Sequence, residues 1–168
     1  MMEKTAGRSA RRVEADMDRE DYMRRALELA RNALATGDVP VGCVVADRDG
    51  TILGEGWNRR EARGDALAHA EVEAIRAACQ RRGGWNLHGC TLYVTLEPCP
   101  MCAGGIISAR IPEIYYGAKD AGFGACGSIL NLFEEDFRHH PKIVGHILEA
   151  ECAALLRDFF AQVREKEM

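Results

Sequence analysis

The stretch Thr91-Leu92-Tyr93-Val94-Thr95-Leu96-Glu97-Pro98-Cys99-Pro100-Met101-Cys102 decides how this chain is read. Its first half is a short apolar run rich in β-branched and aromatic residues, which predicts a buried strand over Thr91 to Thr95. Glu97-Pro98 closes it, because proline holds the residue before it extended and sets the entry into the next element. A helix is expected from Cys99 to Arg110. Cys99 and Cys102 then share its first turn, on one face at i and i+3. Ile114 to Tyr116 reads as the next strand, so strand, helix and strand form a crossover, which implies parallel pairing.

On the N-terminal side, a helix begins near Asp18 or Glu20, where Tyr22, Met23, Ala26, Leu27, Ala30, Ala33 and Leu34 recur at the three-four spacing of one buried face. Gly37 ends it. Val41 to Ala46 and Thr51 to Trp57 are strands joined by the hairpin signal Asp49-Gly50. Asn58 to Leu67 is a charged loop, and a helix from His69 to Arg82 stops at Gly83-Gly84. Toward the C-terminus, Gly117, Gly122, Gly124 and Gly127 mark a loop over 117–127. Ile143 to His146 supplies a fifth strand, and Glu149 to Glu165 a closing helix. The class is α/β, with helices packed on a sheet made mixed by its opening hairpin. The polar stretch 1–18 reads as a disordered extension, and 19–168 as a single domain.

His69 and Glu71 lie about 200° apart on a regular helix and can address one point only from its first turn, where side chains lean toward the N-terminus. Two helix starts would then face one metal, and their partial positive charge favours the thiolates that ligation needs. His69, Cys99 and Cys102 suit zinc, and three protein ligands leave one position for water, as in a catalytic site. Glu71, two residues from the histidine, can move that water's proton without ligating the metal. Cys126 is the residue whose ligation would close the shell and make the site structural. The set matches a general zinc-deaminase signature, His-x-Glu followed by Pro-Cys-x-x-Cys.

The chain has 168 residues, 47% of them hydrophobic, enough for one compact core. A net charge of −4 argues against a broad basic face for indiscriminate nucleic-acid binding. Seven cysteines and the absence of an apolar leader suggest a reduced, cytoplasmic protein with no membrane span. Cys43, Cys79, Cys90 and Cys152 read as small hydrophobes or inert thiols. Local basic clusters occur at Arg59, Arg60 and Arg63, at Lys119, over Arg138 to Lys142, and at Arg157, Arg164 and Lys166.

From about Asp21 to Phe160 the chain resembles the bacterial TadA-type tRNA-specific adenosine deaminases of the cytidine/deoxycytidylate deaminase superfamily. The resemblance rests on Asp38-Val39-Pro40-Val41-Gly42, Gly54-Glu55-Gly56-Trp57-Asn58-Arg59, Ala68-His69-Ala70-Glu71, Thr91 to Cys99, Met101-Cys102-Ala103-Gly104, Gly117-Ala118-Lys119-Asp120, Gly127-Ser128 and Glu151 to Leu156. It implies a cytidine deaminase-like three-layer α/β/α fold with a five-stranded mixed sheet, one Zn2+ per subunit and a homodimer. The implied reaction is hydrolytic conversion of adenosine to inosine at the wobble position of a tRNA anticodon stem-loop; no DNA partner is expected. By that likeness His69, Cys99 and Cys102 hold zinc and Glu71 shuttles protons. Asn58, Asp120, Pro98 and Leu96 would line or contact the nucleotide.

Three stretches depart from the family pattern. Asp65-Ala66-Leu67-Ala68 stands where relatives read Asp-Pro-Thr-Ala. Arg138-His139-His140 replaces an Asn-His-Arg pattern. Phe123, between two glycines, is an aromatic that either stacks on a base or buries itself. The rival reading is a deaminase of a free nucleobase, nucleoside or nucleotide (guanine, cytosine or dCMP type) using the same zinc, water and glutamate. A zinc-stabilised RNA-binding subunit without activity, or a redox Cys-x-x-Cys, would leave Glu71 or His69 unexplained.

Overall fold

The computed structural model describes residues 17–167. Of the expected extension over 1–18, positions 1–16 lie outside the described residues. Asp18 is part of the fold: its carboxylate accepts from the Asp21 N–H, and the Asp21 carboxylate accepts from the Asp18 N–H. That reciprocal cap starts α1, Arg19–Asn32. The chain then tightens into a 3-10 turn over Ala33–Thr36 before left-handed Gly37. With three residues per turn instead of 3.6, the face rotates, and Leu34, expected in the buried stripe, is 42% exposed.

Two antiparallel strands follow, β1 (Gly42–Ala46) and β2 (Ile52–Trp57). The loop expected over Asn58 to Leu67 contains a single helical turn, α2 (Arg60–Arg63). Then come α3 (Ala70–Arg82), β3 (Thr91–Leu96), α4 (Pro100–Ala109), β4 (Glu113–Ala118), β5 (Lys142–Val144) and α5 (Glu149–Glu167). The sheet order is β2-β1-β3-β4-β5, antiparallel from β2 to β3 and parallel from β3 to β5. This is the expected mixed five-stranded sheet.

Both faces of the sheet are covered, which is why β1 is buried at every position. Cys43 and Val45 join Leu92, Val94 and Ile114 on the face packed by α3 and α4. Val44 and Ala46 join Tyr93 and Tyr115 on the face packed by α1 and α5. The result is three layers, α/β/α. Close approach of α3 to β2 depends on small residues on both sides. Ala70, Ala74 and Ala78 recur at i, i+4 and i+8 with no exposed surface. A Cβ on Gly54 or Gly56 would collide with the Ala74 or Ala70 carbonyl oxygen. Among the described residues no helix is long and apolar enough to cross a membrane.

The register separates the two ends of the sheet. Ala46 of β1 pairs with Thr91 of β3, and Thr91 pairs with Glu113 of β4, so the Asp47–Thr51 turn lies at one end. The start of β1 and the last residues of β2, β3 and β4 meet at the other. Open sheets of this kind place ligands beyond the carboxyl ends of their parallel strands.

Candidate active site

At that second end α3 and α4 begin side by side. The histidine is the residue capping α3, with an extended backbone (φ −76°, ψ 154°), and Glu71 lies in the first turn. Cys99 occupies the same capping position on α4 (φ −75°, ψ 172°). The helix expected to begin at His69 therefore begins one residue later. That shift releases His69 from the helical spacing that would have turned it away from Glu71. Neither cap makes a side-chain hydrogen bond to its helix, which frees imidazole and thiol for one another.

His69 Nδ1 lies 3.6 Å from Cys99 Sγ and 3.5 Å from Cys102 Sγ. Zinc bonds of about 2.3 Å to sulfur and about 2.0 Å to nitrogen at a tetrahedral angle separate such atoms by about 3.5 Å. The donor set and its spacing fit zinc. Among the described residues these three form the only group of His, Cys, Asp or Glu side chains close enough to hold a metal. Cys126 is not in it, so a fourth protein ligand is not supplied.

The electrostatics suit ligation and proton transfer. Cys99 is brought down to about 4, chiefly by the Cys102 thiol donating to it, against burial and with help from His69. Cys102, deeply buried beside that thiolate, is raised. The pair thus divides one negative charge, and a bound cation draws off the second proton. Cys99 holds the His69 pKa up while burial opposes it. Glu71 is 4% exposed, and burial pushes its carboxyl up to about 7, with the Cys99 charge adding to the rise. A group near 7 can both take and give a proton at neutral pH.

These residues face a pocket of about 720 Å³ lined by His69, Glu71 and Cys99 together with Asn58, Leu96 and Asp120. Both ends of the Asn58 amide are engaged: Nδ2 donates to the Val39 carbonyl (3.1 Å) and Oδ1 accepts from the Arg60 N–H (3.1 Å). Asp120 Oδ1 accepts from the Gly122 and Phe123 N–H groups at 3.0 and 3.2 Å. Pro98 is buried and does not line the pocket; its carbonyl accepts from the Ala125 N–H at 2.8 Å. It anchors a loop and sets the entry into α4, the structural role its place before Cys99 suggested.

Two buried carboxylates escape a reading of the sequence. Glu97, 2% exposed, accepts from the N–H groups of Asp120, Cys126 and Ser128 and from the Ser128 hydroxyl. It fastens the glycine-rich loop to the end of β3, and Gly124 is small because a Cβ there would strike the Glu97 carboxylate. Asp38, fully buried, accepts from the Glu61 and Ala62 N–H groups and the Thr36 hydroxyl, and so fastens α2. The only sequence signal for either was its place one or two residues before a motif proline.

The basic clusters resolve differently from their spacing. Arg59 lies 3.7 Å over the Trp57 ring and Arg63 grips Glu73 at 3.0 Å; Arg60, 3.6 Å from the Glu61 carboxylate, and Lys119 are the cations of these clusters that line the pocket. Arg138 to Lys142 does not reach it. Asp65 Oδ1 accepts from the Leu67 N–H at 2.9 Å, a local turn that orders the segment lacking the family's proline. Leu156 and Phe160, one turn apart on α5, also line the pocket.

Residues 16–118, more than half of the chain, match the family described as cytidine and deoxycytidylate deaminase zinc-binding region. The chain is 42% identical over 147 residues to the tRNA-specific adenosine deaminase of Bacillus subtilis, covering 87% of this chain and 91% of that protein. A solved structure from work on A-to-I editing by tRNA:A34 deaminases at the wobble position of transfer RNA superimposes with a TM-score of 0.77. It is 42% identical and matches 80% of this chain and 98% of its own. The X-ray structure of guanine deaminase from Bacillus subtilis is 41% identical but superimposes less well, with a TM-score of 0.59 over 64% of this chain and 72% of its own.

Proposed function

The chain belongs to the family of the bacterial tRNA-specific adenosine deaminases, and from that membership we propose that it converts adenosine to inosine at the wobble position of a tRNA anticodon. Water is consumed, the exocyclic amine leaves as ammonia, and the ring carbon that carried nitrogen now carries oxygen. The observation that carries the reading is the three-ligand cluster opening on a pocket with one buried, near-neutral carboxyl.

Zinc held by His69, Cys99 and Cys102 supplies the Lewis acidity that makes water nucleophilic at neutral pH. Glu71 takes the first proton from the attacking water and passes it to the neighbouring ring nitrogen; it then takes the proton of the hydroxyl now on the ring carbon and delivers it to the amine, which leaves as ammonia while the C=O forms. Its burial lowers the cost of holding that proton between steps. Asn58 keeps one amide hydrogen beyond the bond to Val39, available to the bound nucleoside. Asp120 offers its second carboxylate oxygen to the RNA backbone, and Leu96 packs against the nucleotide. Arg60 and Lys119 meet phosphates at the rim.

The homodimer reading is supported by Ile129, Leu130 and Phe137, which are 60%, 44% and 50% exposed in the single chain and close in sequence. Seven unpaired cysteines agree with the reducing cytoplasm where tRNA is modified.

A second reading, deamination of a free purine such as guanine, is favoured by the 41% identity to guanine deaminase. Zinc-loaded protein is to be incubated with an anticodon stem-loop bearing a wobble adenosine, and separately with free adenosine, guanine and cytidine. Inosine from the stem-loop supports the RNA reading. Turnover of a free base with none of the stem-loop replaces it with the second. Glu71→Gln is expected to lose roughly 10²- to 10⁴-fold in kcat on whichever substrate is used, with zinc content unchanged.

A further inference from the structure

We propose that Phe123 is a stacking platform for a nucleobase adjacent to the target adenosine, and so a specificity-determining residue of this chain; the inference rests on the RNA reading above. The ring is 70% exposed, more than any other large hydrophobic side chain among the described residues. It lines the same pocket as Lys119, Asp120 and Glu71. Exposed apolar residues are common singly and by themselves need no partner. Phe123 differs in what holds it.

Its N–H and that of Gly122 donate to Asp120 Oδ1, and the Gly124 N–H donates to the Asp120 carbonyl at 2.9 Å. The loop is fixed again on both flanks, where Glu97 takes the N–H groups of Asp120, Cys126 and Ser128. The Ala125 N–H is tied to Pro98, next to the metal-ligand Cys99. A solvated aromatic thus stands on backbone set by these hydrogen bonds and registered to the catalytic end of α4. Rigid presentation removes much of the ordering cost of contact.

The pocket sets the chemistry of the occupant. An adenosine that reaches Glu71 must leave its stack, and its neighbours then lack a stacking partner on the side it vacated. A phenyl face replaces that partner for any base, which suits a loop with no side-chain donors near its tip. Lys119 and Arg60 supply the positive rim that a phosphate backbone requires. A second aromatic, Phe160, 44% exposed, lines the same pocket.

The test is steady-state inosine formation by full-length, zinc-loaded wild type, Phe123→Ala and Phe123→Trp. Each acts on the intact stem-loop and on stem-loops with an abasic nucleotide immediately before or after the target. Phe123→Ala is expected to raise KM roughly 5- to 100-fold, with a smaller change in kcat, and Phe123→Trp to stay within about threefold of wild type. One of the two abasic substrates should impose the same loss on wild type and add nothing to Phe123→Ala. A KM for Phe123→Ala within about twofold of wild type overturns the proposal, as do fully additive losses at both positions. Dissociation of a wild-type dimer by Phe123→Ala in sedimentation, with no abasic coupling, assigns the ring to a second copy of the chain and also overturns it. If wild type makes no inosine from any stem-loop yet deaminates a free base, the RNA reading itself has failed, an outcome separate from insensitivity at residue 123.

Discussion

Glu97 takes no part in the proposed proton transfers, yet it is the most heavily bonded carboxylate at the site. Burial raises its pKa, but the Ser128 hydroxyl and the three N–H donors outweigh that, so its folded value lies below that of an ordinary glutamate. A depressed folded pKa contributes stability that is present above the unfolded value of about 4.3 and lost as pH falls through the lower folded value. Glu97→Gln is expected to cost about 1–3 kcal/mol near neutral pH in urea unfolding. The gap to wild type should narrow steadily below about pH 4. A gap that stays constant down to acid would mean the carboxylate's charge is not what holds the loop.

At the scale of elements, α3 delivers His69 and Glu71 to the site, and its depth is set by β2. Gly56→Ala would drive a methyl group into the first turn of α3, so the predicted effect is a loss of about 1–3 kcal/mol by thermal unfolding. Activity should fall further than stability, because the displaced turn carries the histidine. Gly84→Ala, in open space beyond the helix, is the control. These elements were readable because their signals are local: alternation and β-branching in the strands, alanine at helical spacing, Asp49-Gly50 at the turn. The metal triad was readable for the same reason, since each half is a short local motif. The two loop clamps were not. Glu97 reaches partners 23 to 31 positions away, and Asp38 partners 23 and 24 positions away, separations that only the folded sheet brings together. Helix α2 was missed because four residues have no periodicity to detect, and Asp38 holds them from outside. Pro98 keeps the structural role its place before Cys99 suggested: it is buried, and it is not among the residues that line the pocket.

Across the whole molecule, the metal site joins the starts of two helices that together cover one face of the sheet. Zinc held by His69, Cys99 and Cys102 would cross-link α3 and α4 as well as supply Lewis acidity. Chelation is expected to abolish deamination and to lower the melting temperature by roughly 10 °C, the effect of a ligand present at about a thousand times its Kd on a domain of this size. Restoring zinc should recover both, as followed by circular dichroism and inosine yield. Loss of activity without a fall in melting temperature would place the stabilisation of the helix starts elsewhere.

The two ends of the sheet therefore differ in what they tolerate. The metal ligands and Glu71, with Arg60, Lys119, Phe123 and Phe160 around them, gather where β2, β3 and β4 finish, while the Asp47–Thr51 turn sits a full strand length away. That turn is a convenient attachment point: a fluorophore or surface tether fixed at Arg48, whose backbone N–H bonds only to neighbouring Asp47, would report on the enzyme while leaving the pocket open to a bulky RNA.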